Sequence, residues 1–372
     1  MQQSANGAQI IIHASPKLGQ GLRHRPPVAI LRFTVILPPM VAPLSGPNSP
    51  QQLPQSVICA DLLRKEVLFV TGKGGVGKST IAQAFARQAA QAGKRVLLVE
   101  LEAVSRAGPL LGVRHPGPQP QRAASNLDLM ALDVMDSLRY FAVQQLKLET
   151  LVNLALRNKA VESFFQAVPA IKPILVLYQV WHMMQVHGPR GDKRWDLAIC
   201  DLPTSGFVQG MYQIPRTLQQ AFRVGPVHNY ATGMRAMLAD PGRTGLVLVT
   251  LPEEMPVVET LELQAILQRE HGVQPAALIL NSVVPAGIAP DDAVMIEQLT
   301  AEPADHAMRA SLWAAQLLAG RRQRALDLLP QLVAAAHGRV LQVPCLFRRE
   351  LPLAQIDQIA AQLATDLAVA PA

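Results

Sequence analysis

The stretch L-F-V-T-G-K-G-G-V-G-K-S-T-I-A-Q-A-F-A-R-Q-A-A-Q-A-G-K-R-V-L-L-V-E, residues 68–100, decides the fold. An apolar run (Glu66–Gly72) ends in glycine. An alanine- and glutamine-rich segment (Lys78–Ala92) closes at Gly93, and a second apolar run (Lys94–Glu100) follows. Short, continuous apolar runs flanking a helical segment predict buried parallel strands joined by a crossover helix. Between strand and helix, Gly72-Lys73-Gly74-Gly75-Val76-Gly77-Lys78-Ser79 fits GxxxxGK[ST] in the context that pattern requires. Glycines let backbone N–H groups turn inward around phosphate oxygens, and the positive end of the helix dipole faces the same anion. Lys78 is placed to reach the β- and γ-phosphates, Ser79 to hold Mg²⁺, and Thr80 to donate to the α-phosphate.

Working outward, five more runs of strand type appear: Leu127–Asp133, Trp195–Asp201, Arg243–Thr250, Pro275–Asn281 and Gly338–Pro344. Helical segments separate them. Strands alternating with helices predict an α/β fold, a doubly wound, mostly parallel sheet of the P-loop NTPase type. Residues 136–187 are the exception. They hold a long, mostly apolar helical insertion interrupted by Pro169 and Pro173. It predicts either helices packed on the sheet or a subdomain with an apolar partner groove, which Phe164, Phe165, Trp181, Met183 and Met184 would suit.

Residues 1–55 read as a proline-rich, disordered tail, and residues 56–372 as the folded P-loop domain. The apolar run Pro27–Leu44 contains Arg32 and is broken by prolines, so it makes a poor transmembrane helix. The net charge of +7 is uneven: Lys17, Arg23, Arg25 and Arg32 give residues 1–50 a charge of +4, and +7 less +4 leaves +3 on the rest. A nearly balanced folded part argues against a nucleic-acid partner. The cysteines Cys59, Cys200 and Cys345 share no CxxC spacing, so no disulfide framework is predicted and a reducing cytoplasmic setting is expected.

Lys73 is surplus to a minimal phosphate loop. GKGGVGKST resembles the deviant Walker A motif of the ATPases that include the arsenite pump subunit, the tail-anchored protein targeting ATPase and the MinD and ParA partition proteins. Three stretches favour the arsenite pump and targeting (ArsA-type) branch: Asp196–Pro215, Val247–Leu263 and Leu278–Pro285. The resemblance runs from about Val67 to the C-terminus. It implies an ATP- and Mg²⁺-dependent ATPase that closes as a homodimer around nucleotide, with Lys73 reaching the partner's ATP. Asp201, ending an apolar strand, would hold the magnesium water shell beside Ser79, and Asn281 would read the adenine edge.

Two departures from the family bear on rate. Its first switch carries a water-positioning aspartate in a DPAH-like segment, where this chain has Glu100–Arg106 with Glu102 at the aspartate's place. Its second switch often has a histidine where Phe207 stands. One methylene of misplacement costs about 100-fold when reacting groups shift by about 1 Å. Slow or partner-triggered hydrolysis is therefore expected. The alternatives are a nucleotide-gated binding module that hydrolyses little, or a MinD/ParA-type positioning ATPase. Arsenite would need converging thiolates, which the three cysteines do not offer. The cargo, an unidentified protein or membrane partner, stays open.

Overall fold

The computed structural model describes residues 10–13, 32–35, 52–101, 105–146, 156, 171–187, 191–203, 205–285, 306–348 and 351–365. Two compact units are distinguished. One comprises Met1–Pro43, Pro285–Arg322 and Leu367–Ala372, the other Leu44–Val284 and Gln323–Asp366. Within the tail, β1 (Ile10–His13) and β2 (Arg32–Val35) pair antiparallel.

The second unit is built on eight strands: β3 (Val67–Gly72), β4 (Val96–Glu100), β5 (Gln121–Ala124), β6 (Leu127–Ala131), β7 (Leu197–Asp201), β8 (Thr244–Thr250), β9 (Ala277–Val283) and β10 (Val340–Pro344). Their order is β10-β9-β8-β3-β7-β4-β6-β5. Every neighbouring pair is parallel except β5 with β6. The seven strands expected from the sequence are all present, and the doubly wound α/β class holds.

Strand parity sorts the core into two layers. Val67 and Phe69 of β3 and Leu97 and Val99 of β4 face one layer, while Leu68, Val70, Val96 and Leu98 face the other. The first layer packs against α4 (Val134–Leu146), α5 (Ile171–Met183), α6 (Ser205–Ala221), α7 (Pro226–Ala239) and α8 (Glu254–His271). The second packs against α1 (Gln55–Arg64), α2 (Lys78–Gln91), α3 (Ala107–Leu111) and α10 (Leu353–Ala364). The remaining helix, α9, spans His306–Ala335. Burial on both faces explains why the strands read as unbroken apolar runs rather than alternating ones.

Of the expected helical insertion, α4 and α5 are in view, joined through Tyr140 and His182, whose hydroxyl and Nδ1 lie 2.7 Å apart. Residues 147–155 and 157–170, with Phe164, Phe165 and Pro169, lie outside the described residues. Trp181, Met183 and Met184 belong to or pack on the core layer over the sheet. Phe207 packs there as well, near the start of α6.

Residues 52–55 do structural work at the sheet edge. Leu53 N–H donates to the Gly338 carbonyl (2.9 Å), Gln52 Nε2 to the Val340 carbonyl (2.8 Å), and Gln342 N–H to Gln55 Oε1 (2.5 Å). Among the described residues, no helix is long and apolar enough to cross a membrane.

Candidate functional site

Open α/β sheets bind ligands beyond the carboxyl ends of their strands. Here those ends bring together Gly72 of β3, Glu100 of β4, Asp201 of β7 and Asn281 of β9. The loop leaving β3 is held at both ends by glycines that nothing else replaces. Gly72 has φ +154°, and a Cβ there would lie 2.2 Å from the backbone oxygen of Val249 on β8. Gly77, at φ +92°, would place a Cβ 2.3 Å from Asn281 Nδ2. Between them, Gly74 and Gly75 have no atom within 4 Å of an added Cβ.

That open backbone borders a cavity of about 370 Å³, lined also by Gly77, Lys78, Ser79 and Thr80. The N-terminus of α2 begins at Lys78 on the same wall. A glycine-walled cavity at a helix N-terminus, with an ammonium and two hydroxyls around it, fits a polyphosphate. Lys78 Nζ donates to the Lys73 carbonyl at 2.9 Å, folding its side chain back along the loop.

The other expected site residues distribute as follows. Val76 is buried, and its carbonyl accepts a bond from Asn281 Nδ2 at 2.8 Å. Asn281 is only 9% exposed, so its amide nitrogen ties the end of β9 to the phosphate loop. Asp201 is the register partner of Val70 on one side and Glu100 on the other, which sets it beside the root of the loop. Ser79 on the cavity wall and Asp201 at the strand end are the residues that would hold Mg²⁺. Glu102 lies outside the described residues. Lys73 takes a different course from Lys78: its ammonium forms an ion pair with Glu259 of α8.

Three residues of this site were not singled out by sequence. Glu259 lies within the stretch resembling the family, but its partner is 186 positions away. Glu100, which ends the second strand, is 3% exposed and gathers three donors: Ser105 Oγ–H, Arg106 N–H (3.1 Å) and Ala107 N–H (2.9 Å). Arg106, on the turn those bonds fix, lines the cavity.

The sheet order and the filled GxxxxGK[ST] loop define a nucleotide-binding domain of the P-loop NTPase class. Residues 65–231 match the family profile described as an anion-transporting ATPase. That stretch, which holds the phosphate loop and Asp201, resembles the ArsA-type ATPase family. It is similar to ATPase BagA of Mycobacterium tuberculosis (strain ATCC 25618 / H37Rv), with 29% identity over 234 residues, 60% of this chain and 67% of that one. It is also similar to the arsenical pump-driving ATPase of Escherichia coli, with 26% identity over 251 residues, 64% of this chain and 40% of that one. The chain thus spans less than half the length of the pump-driving relative.

Proposed function

We propose that this protein hydrolyses ATP in a Mg²⁺-dependent cycle that closes two copies of the chain around nucleotide and transmits closure to a partner. The observation that carries this reading is the division of labour between the two loop lysines. Lys78 lines the cavity, whereas Lys73 extends to Glu259. A lysine already spared from its own site is free to serve a facing one.

In the bound state, loop N–H groups and Lys78 would hold the phosphates, Thr80 would donate to them, and Asn281 would keep β9 and the loop in fixed relation. Ser79 and Asp201 would hold magnesium, which would supply positive charge against the charge developing on the phosphates. A cytoplasmic setting suits this chemistry, and the three cysteines are free thiols. The partner is a protein or a membrane-bound assembly.

Steady-state phosphate release tests the proposal. Release should require Mg²⁺, and specific activity should rise with protein concentration as dimers form. A chain that binds ATP but releases no phosphate at any concentration is instead a nucleotide-gated binding module.

The cycle does not involve metalloid ligation through these thiols. Cys59 is buried and donates to Gln88 Oε1 at 3.1 Å; burial pushes its pKa up to about 11, against the opposing effect of that bond. Cys200 sits inside β7, where burial and then the Asp201 charge push it higher still. Thiolates are the metalloid ligands, and both groups resist forming one. In native protein at pH 7.5, a thiol-specific chromogenic reagent should modify Cys345 readily and the other two only after denaturant is added. Arsenite should leave phosphate release unchanged. Rapid modification of three thiols in the folded chain would contradict this.

A further inference from the structure

We propose that Arg106 is a phosphate-binding cation supplied by the same chain, and that Glu100 is its positioning residue. The inference rests on the ATP-binding reading above.

The first support is the composition of the cavity. Two cationic side chains, Lys78 and Arg106, line one space of about 370 Å³, and no carboxylate is among its described lining residues. The guanidinium offers a planar fork of donors that matches two phosphate oxygens at once, which an ammonium does not. Lys78 and Arg106 are therefore complementary: a point charge from the loop and a fork from the turn after β4.

The second support is how the turn is held. Glu100 ends β4 beside Asp201, and strand parity directs both side chains toward the α2 face. A carboxylate 3% exposed must be hydrogen-bonded to be tolerated. Its acceptors are engaged by Ser105 Oγ–H and by the backbone N–H groups of Arg106 and Ala107. Ser105 Oγ in turn accepts from Gly108 N–H at 2.8 Å. These bonds tie residues 105–107 to the end of β4, and Arg106 is the residue among them that lines the cavity. Glu100 thus touches no phosphate itself. It fixes the backbone from which the guanidinium projects.

The test is equilibrium binding of ATP and AMP to the full chain with Mg²⁺, followed calorimetrically, together with melting of the nucleotide-free protein. Arg106→Ala should weaken ATP binding about tenfold, equivalent to ~1.4 kcal/mol, and leave AMP within about twofold. The nucleotide-free melting temperature should not move. Arg106→Lys should recover part of the loss. Glu100→Gln should weaken ATP binding by about fivefold in the parent and by nothing further once Arg106→Ala is present, because residues acting through one contact are non-additive. If Glu100→Gln folds poorly, Ser105→Ala loosens the same turn and should show the same masking.

Equal ATP affinity in Arg106→Ala and parent overturns the assignment while leaving the nucleotide reading intact. Equal losses for ATP and AMP overturn it too, because the side chain then serves the nucleoside. Additive losses remove Glu100 from the positioning role. A parent chain that binds no ATP overturns the proposed function and this assignment together.

Discussion

Gly77→Ala should lower stability by about 2–3 kcal/mol and weaken ATP binding by about 100-fold or more. Two costs combine. Alanine at φ +92° is strained by roughly 1–2 kcal/mol. Its Cβ also falls 2.3 Å from Asn281 Nδ2, so the amide must leave its 2.8 Å bond to the Val76 carbonyl, worth about 1 kcal/mol. The nucleotide effect is larger because the loop's N–H groups act as a set. Losing two charge-assisted bonds of about 1.5–3 kcal/mol each costs two orders of magnitude or more in affinity. Urea titration and calorimetric binding measure the two effects separately. Gly74→Ala is the control: its Cβ meets no atom within 4 Å, and its stability should stay within about 0.5 kcal/mol of the parent. Asn281→Ala removes the clashing atom, so the Gly77→Ala/Asn281→Ala pair should destabilise by less than the sum of the single changes. An unchanged urea midpoint in Gly77→Ala would show that the loop is not clamped as described.

Lys73→Ala should reduce phosphate release by about a thousandfold, the lower end of what a cation supplied in trans contributes to phosphoryl transfer. Subunit mixing separates trans from cis action. A Lys73→Ala chain keeps its own ATP site, and a Lys78→Ala chain keeps Lys73. If Lys73 serves the facing site, the mixed dimer has one filled site opposite an intact lysine, and mixing restores up to half-site activity. If Lys73 serves its own site, no subunit in the mixture carries both lysines and activity stays at background.

If Lys73 serves a facing site, its ion pair with Glu259 must first open. The pair is 47% and 35% exposed at its two side chains, and such pairs are worth about 0–1 kcal/mol. That is a weak hold. Glu259→Gln should lower the ATP concentration at which dimers form by less than about fivefold, read by analytical ultracentrifugation. A parent chain that stays monomeric at saturating ATP analogue leaves the trans role of Lys73 without support.

The parallel strands were legible because each is buried on both faces and so appears as an uninterrupted apolar run. The strand β5 was not, because it is the edge strand and half exposed, with the sequence QRAA. Its hairpin is held by Arg122 pairing with Asp128 at 3.0 Å, while Trp195 Nε1–H donates to the other Asp128 oxygen at 2.9 Å. The turn at Ser125-Asn126, with Asn126 at φ +60°, was the available local signal.

At the site, the loop residues Gly72 to Thr80 could be placed by motif because their chemistry is local. Glu259 and Arg106 could not, because what they do depends on tertiary neighbours. The Asn281 amide was expected to face a base. Its nitrogen donates to the Val76 carbonyl, a contact across 205 positions that no spacing rule announces.

The bonds from residues 52–55 to β10 bear on where this chain tolerates cutting. β10 is the outermost strand of the sheet, and its outer donors and acceptors are met by Gln52 and Gln55, with Leu53 bonding just before it. A chain truncated at 56 would present that row bare, a template for strand addition from any passing copy. Such copies would associate edge to edge, irrespective of nucleotide, and mimic constitutive assembly. A chain that begins at 52 keeps the seam closed, so any self-association it shows must come from another surface.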